Sequence, residues 1–279
     1  MKQLKQKKIL SVFHDAGSAN LAASFIKNQK INTRFYCKGP AEKIFKKNFK
    51  NFKNEKNFKK LFNEIDTVLT GTSSTNSIEH RAREICIKKK IESISFIDHW
   101  VGYKRGFRKN KKLVLPNILL VNNLKAFQMA KKIFKNIKIL KIKNYYEIYI
   151  LSKVKKKIRK GYNFLYFLEP LNEYSEFKAL DKFLEYLKKY KNKKNIIFKL
   201  HPAEKKSKYL KWLKKNNFRK DQLKINEKME TLLSWSDYVF GLQSYALVLA
   251  LKSKKRVFTM LPLDNIGCRL PFKQIKSIK

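Results

Sequence analysis

Asn195–Glu204, NIIFKLHPAE, is the stretch from which the fold of this 279-residue chain is read. Ile196, Ile197 and Phe198 form a short apolar run of buried-strand type, and Lys199 and Leu200 close it. His201-Pro202 then ends the ladder, because proline has no N–H to donate and disfavours helix at the residue before it. The expectation is a strand over Asn195–Leu200 with His201 just past its carboxyl end, the edge at which open α/β sheets bind ligands. Taken alone, the dipeptide also fits a strand-end histidine packed beneath a loop, and its neighbours decide between the two.

Outward from this stretch the same rhythm repeats. Downstream, Leu223–Ile225, Tyr238–Gly241 and Val257–Met260 read as strands, with helices at Lys208–Lys215, Met229–Trp235 and Ser244–Lys252. Upstream, Phe164–Leu168 reads as a strand and Phe177–Tyr190 as an amphipathic helix. The first half alternates in the same way: strands at Ile9–Phe13, Thr33–Tyr36, Asp66–Thr70, Ile91–Ile97, Ile118–Val121 and Ile137–Ile142, and helices at Leu21–Lys27, Asn76–Lys89 and Ala126–Phe134. Such alternation implies mostly parallel sheets with helices on both faces. The fold class is α/β with two Rossmann-like domains, 1–152 and 161–279, joined by a lysine-rich linker, Lys153–Lys160. Residues 40–64 read as helical. Ala16–Asn20 (AGSAN) reads as a loop in which Gly17 permits a tight turn and Ser18 or Asn20 caps the helix, presenting His14 and Asp15 at the sheet edge. Gly71–Thr75 is a polar loop whose hydroxyls and free helix N–H groups either hold an anion or cap the helix.

Composition sets further bounds. With 66 Lys and Arg against 21 Asp and Glu, the formal net charge is +45. Almost all of the basic residues are lysines, in a chain rich in Ile, Asn and Phe, which is what an AT-biased genome writes. The lysines are spread along the chain, so no specific nucleic acid is expected. Lys46–Lys60 interleaves basic and aromatic residues as single-strand binders do, but Phe49, Phe52, Phe58 and Phe62 fall near helical spacing. That spacing favours core packing, with a membrane-surface lobe as second reading. The apolar part of the amino terminus, Ile9–Phe13, is too short for a secretory h-region of about 7–15 residues. The chain is therefore expected in the cytoplasm, with peripheral contact at the inner membrane face as the variant. Cys37, Cys86 and Cys268 show no metal spacing.

Several motifs resemble one group of enzymes. A strand ending in Lys-Leu-His-Pro is similar to the His-Pro motif of bacterial sialyltransferases, polysialyltransferases and capsule-type glycosyltransferases of the two-domain GT-B fold, which implies that His201 and Pro202 lie against a nucleotide phosphate. Ser236–Gly241, then Leu242-Gln243-Ser244, an apolar helix and Lys255-Arg256-Val257 resembles a GT-B pattern in which a serine loop caps a helix whose N–H groups grip the donor phosphate. A helix amino terminus favours negative charge by about 0.3–1 kcal/mol, and N-capping alone is the alternative for Ser244. On this reading His201 and Ser244 converge from neighbouring strand ends. Ala246–Ala250 offers no carboxylate for ribose hydroxyls, which favours a CMP-sugar over a uridine diphosphate donor. Ser95–Phe107 and His14–Asn20 resemble segments of surface-polysaccharide proteins of this architecture, placing His14, Gly17 and Ser18 on the substrate side.

The reading that follows is a metal-independent glycosyltransferase of surface polysaccharide synthesis. It has a carboxyl-terminal nucleotide-sugar domain, an amino-terminal acceptor-side domain and a cleft between them. It takes a nucleotide-sugar donor and a glycan or lipid-linked acceptor, and no cofactor; no Asp-x-Asp motif is present. A base is needed within hydrogen-bond reach of the acceptor hydroxyl. Asp15 is preferred, with Asp98 and His99 as alternatives. Trp100 and Tyr103 are either sugar-stacking rings or core. Arg81, Arg83, Arg105 and Arg108 stand out among lysines. Arginine's planar fork suits carboxylates and phosphates, so Arg105 is assigned to ligand contact and Arg81 and Arg83 to ion pairs with Glu79 or Glu84. Two alternatives stay open: a nucleotide-sugar 2-epimerase-like isomerase, although the Ser-Gly-Gly loop and paired glutamates of that class are absent, and a non-enzymatic basic binding protein. The resemblance also implies a final helix crossing back to the first domain, for which the stretch after Pro271 leaves little room.

Overall fold

The computed structural model describes residues 2–73, 77–100, 102–109, 112–155, 162–170, 173–191, 194–263 and 267–278. The chain divides into two compact units, Met1–Tyr146 and Glu147–Lys279. Unit 1 contains strands β1 (Ile9–Phe13), β2 (Arg34–Cys37), β3 (Thr67–Thr70), β4 (Glu92–Ile97), β5 (Arg108–Lys109), β6 (Lys112–Leu113), β7 (Ile118–Val121) and β8 (Lys138–Lys141). Its helices are α1 (Ala16–Gln29), α2 (Pro40–Asn48), α3 (Ile78–Lys89) and α4 (Leu124–Ile133). The main sheet has the order β2-β1-β3-β4-β7-β8, parallel throughout, and β5 and β6 form a small antiparallel ladder. Alternate side chains of β1 serve opposite faces. Ile9 and Phe13 pack with α1 and α2, while Leu10 and Val12 pack with α3. Covering both faces is what makes these strands read as unbroken apolar runs.

The chain leaves β1 for β2 on one side and then crosses to β3 on the other. The switch point of unit 1 therefore lies between the carboxyl ends of β1 and β3. The expected helix over 40–64 is corrected: α2 stops at Asn48, and only a short 3-10 turn, Lys60–Asn63, follows. Tertiary contacts override the helical spacing. Phe35 packs against Phe45, Phe49 and Phe52, and Asn54 hydrogen-bonds both the N–H and the carbonyl of Cys37, extending the edge of β2. Phe58 and Phe62 are buried. The rings of this stretch thus pack against unit 1, with Phe49 and Phe52 half-buried. Among the described residues no helix is long and apolar enough to cross a membrane.

In unit 2 the helices are α5 (Tyr145–Lys153, which begins just before the division), α6 (Glu173–Leu187), α7 (Ser207–Lys215), α8 (Met229–Trp235) and α9 (Tyr245–Lys252). The strands are β9 (Tyr162–Phe167), β10 (Lys194–Lys199), β11 (Leu223–Lys224), β12 (Tyr238–Gly241), β13 (Arg256–Thr259) and β14 (Lys276–Ser277). Of the expected linker Lys153–Lys160, residues 156–160 lie outside the described residues. The sheet order is β11-β10-β9-β12-β13-β14, again all parallel, so the switch point lies between β9 and β12. Phe164, Phe183 and Phe240 centre an aromatic core under α6 and are fully buried.

Phe240→Ala removes a ring that contacts Phe164, Phe183, Tyr186 and Phe258. Expected is a loss of about 3–5 kcal/mol, read as a lower denaturant midpoint in the transition of unit 2.

Candidate active site

At the switch point of unit 1 the loops after β1, β3 and β4 enclose an open cavity of about 330 Å³, lined by Asp15, Thr72, Ser73, Asp98, His99 and Arg105, with Tyr103 at its wall. The parallel sheet makes this convergence unavoidable, since all three loops leave the same edge. Asp15 occupies the N-cap position of α1, yet its carboxylate does not cap the helix. It is held instead by His14 Nδ1, at 2.7 Å. The stretch Ala16–Asn20 is therefore not a loop but the first turns of α1, a correction to the turn and capping roles of Gly17, Ser18 and Asn20. Gly17 is required for close approach: a Cβ there would lie 1.8 Å from Asp98 Oδ2. Ser18 is buried, its hydroxyl against Gly71, where a Cβ would meet it at 2.1 Å. Neither residue lines the cavity.

Asp98 follows β4. Protein surrounds it on most sides while part of its surface opens to the cavity. Burial lifts its pKa from 3.8 to about 6, and the nearby Asp15 carboxylate adds to the rise, against the hydrogen bonds of its own backbone N–H and of the Thr72 hydroxyl. A carboxyl group poised there exchanges a proton near neutral pH. His99 shares the wall, its ring edge-on to Trp100 at 6.0 Å. Trp100 is corrected from a sugar-stacking ring to core: it is buried and its indole N–H donates to Asn123. Tyr103 is anchored through its hydroxyl to the carbonyl of Ala126, leaving a ring edge on the cavity. Arg105 and Arg108 are exposed, and of the two Arg105 lines the cavity.

Beneath the cavity lies Glu79, expected only as an ion-pair partner. It is wholly buried and accepts the backbone N–H groups of His14, at 3.1 Å, and Ser73, at 2.8 Å. One carboxylate thus ties the loop after β1 to the loop after β3. Burial pushes its pKa up. Arg83, one helical turn along α3, is also buried, and its pKa falls to about 10 through desolvation, opposed by the Glu79 charge. Its guanidinium donates to the carbonyls of Gly71, Gly106 and Val114 and to the Thr70 hydroxyl and lies over the Phe107 ring. Arg83 therefore binds carbonyl groups of the cavity walls rather than only a carboxylate. Arg81 lies over Phe58. Helix α3 begins at Ile78, capped by Ser77, and residues 74–76 of the polar loop lie outside the described residues.

In unit 2, His201 follows β10 and is half-buried. Its Nδ1 accepts the Ala203 N–H at 3.1 Å, so the neutral ring carries its proton on Nε2. Pro202 is exposed. The expectation that His201 and Ser244 stand on neighbouring strand ends is corrected. β9 lies between β10 and β12, a separation of two strand spacings, about 10 Å. The end of β9 carries Glu169, to which the sequence reading assigned nothing. Its buried carboxylate accepts the N–H groups of Leu242, Gln243 and Ser244 at 2.9–3.1 Å. The donors assigned to a ligand phosphate are thus already occupied by the protein. The signal available was position: Glu169 is the first carboxylate after the buried strand at the switch point, as Glu79 is the acidic residue in the first turn of α3.

No protein-family model matches the chain, and no curated protein sequence matches it. Solved structures do. The UDP-GlcNAc 2-epimerase of Methanocaldococcus jannaschii aligns with a TM-score of 0.55 at 17% identity over 91% of this chain and 83% of its own. The UDP-GlcNAc 2-epimerase of Neisseria meningitidis, solved bound to UDP-GlcNAc, aligns with a TM-score of 0.56 at 13% identity over 95% and 84%. The glycotransferase of kitacinnamycin aligns with a TM-score of 0.52 at 11% identity over 98% and 86%. At these identities the likeness is one of fold: an α/β, GT-B-like chain of two parallel-sheet units.

Two outcomes follow from the geometry around Asp98. Gly17→Ala forces the Asp98 carboxylate aside and is expected to cost about 1–3 kcal/mol as overpacking, measured by denaturant unfolding. Because the folded-state pKa of Asp98 is raised, the folded protein holds this proton more tightly than the unfolded chain, and stability falls as pH rises from about 4 to about 6. Asp98→Asn lacks that loss. The stability of the variant relative to the parent protein should rise by at most about 3 kcal/mol between pH 4 and pH 7.5, and a flat difference across that range contradicts the assignment.

Proposed function

We propose that this chain is an enzyme acting on a nucleotide-activated sugar, and that it transfers the glycosyl group to an acceptor hydroxyl. The observation that carries this reading is Asp98, a carboxyl group with a pKa lifted to about 6, on the wall of an open cavity at the switch point of unit 1. Asp98 is the base that takes the acceptor proton. Asp15, held by His14, keeps the proton-accepting side of the cavity negative, and Arg105 meets an anionic group on the substrate. In unit 2 the Nε2–H of His201 is a donor suited to a phosphate oxygen. The fold shared with nucleotide-sugar enzymes supports the substrate class. A CMP-sugar donor and a role in capsule or other surface polysaccharide synthesis belong to this proposal.

A second reading rests on one feature of the same cavity: two carboxyl groups, Asp15 and Asp98, line it together. Removal of a proton from one face of a sugar carbon and its return to the other needs two such groups, which is isomerase chemistry. Product analysis separates the two. With CMP-, CDP- or UDP-sugars and an acceptor glycan, transfer releases free nucleotide in step with acceptor consumption. Epimerisation converts the sugar with no acceptor present and leaves the nucleotide ester intact.

The expected acid limb of kcat/KM has its midpoint near pH 6, the ionisation of Asp98. Asp98→Asn lowers kcat by about 10²–10⁴-fold. Turnover that is unchanged in Asp98→Asn, or no nucleotide-sugar conversion across the panel, overturns the reading.

A further inference from the structure

We infer that Glu169 is a specificity-determining residue of unit 2: it fills the anion cradle at the start of α9 with the protein's own carboxylate and so keeps ligand phosphate out of that position. Three facts converge. The strand order of unit 2 puts its switch point between β9 and β12, where a sheet of this winding offers its loop N–H groups to a ligand. Those groups exist and point together, since the N–H groups of Leu242, Gln243 and Ser244 all donate to one residue. The acceptor has both oxygens engaged: Oε1 takes all three N–H groups and Oε2 shares that of Gln243. The packing leaves it no slack, because a Cβ added to Gly241 would meet Glu169 Oε1 at 3.2 Å.

A second anion cannot enter without displacing the first. The three N–H groups are already taken, and Glu169 has no exit to water from a position where it is almost fully buried. Whatever the substrate, any phosphate bound by unit 2 is held elsewhere along the carboxyl edge of the sheet.

The test uses the full chain and inorganic phosphate. In the parent protein the amide resonances of Leu242, Gln243 and Ser244 should stay fixed as phosphate is titrated at constant ionic strength. Glu169→Ala empties the cradle and should bind phosphate saturably, at least about tenfold more tightly than the parent, with the same three amides shifting. The matched ionic strength matters because a chain of net charge +45 attracts phosphate everywhere on its surface. Saturable shifts of these amides in the parent protein overturn the inference. So does a folded Glu169→Ala variant whose phosphate affinity equals that of the parent. If the alanine variant fails to fold in chloride, recovery of the fold in phosphate supports the cradle, and failure in both overturns it.

Discussion

Each six-stranded sheet of this protein is organised around one buried carboxyl group that accepts backbone N–H groups where the winding of the chain reverses. The cause is elementary. A parallel sheet brings the loops after several strands to one edge, and loops that turn sharply there leave N–H groups without partners. A buried N–H without an acceptor costs as much as a lost hydrogen bond. A carboxyl group offers several lone pairs on two oxygens, so it satisfies two or three donors at once. Glu79 does this for His14 and Ser73, and Glu169 does it for Leu242, Gln243 and Ser244.

The two carboxylates leave different surroundings. Glu79 lies below its loops and ties them from beneath, with Arg83 bracing the same walls through carbonyl groups. The space above stays open, and Asp15, Asp98, His99 and Arg105 line it. Glu169 takes up the space that a ligand anion would use. The same kind of interaction therefore supports an open cavity in unit 1 and closes a cradle in unit 2. The lining of the unit 1 cavity holds two aspartates, one histidine and one arginine, in a chain where lysine is the common charged residue.

Much of the fold was legible because its signals are local. Ile9–Phe13 and the run after Asn195 read as strands from unbroken apolar character alone, and both form. The alternation of strands and helices implied parallel sheets, and both sheets are parallel. The grouping of Asp15, Asp98, His99 and Arg105 in one cavity also follows from their places just after strands that share an edge. Local signals failed where a distant residue decided the outcome. The 40–64 segment has helical spacing, but Phe35 and Cys37 capture its second half. Ala16–Asn20 contains turn-forming residues, yet its glycine is explained by the carboxylate of Asp98, more than eighty positions away in sequence.

The amino-acid sequence by itself determined the class of the fold, the positions of most strands and the set of residues delivered to the carboxyl edges, because apolar periodicity and helix and strand punctuation depend only on near neighbours. The order of the strands was decided by the tertiary structure. That order separated His201 from Ser244 by a whole strand and set Glu169 between them, and it brought Glu79 under two loops at once. Strand order depends on which packing buries the most apolar surface for the whole unit, and no single stretch of sequence carries that information.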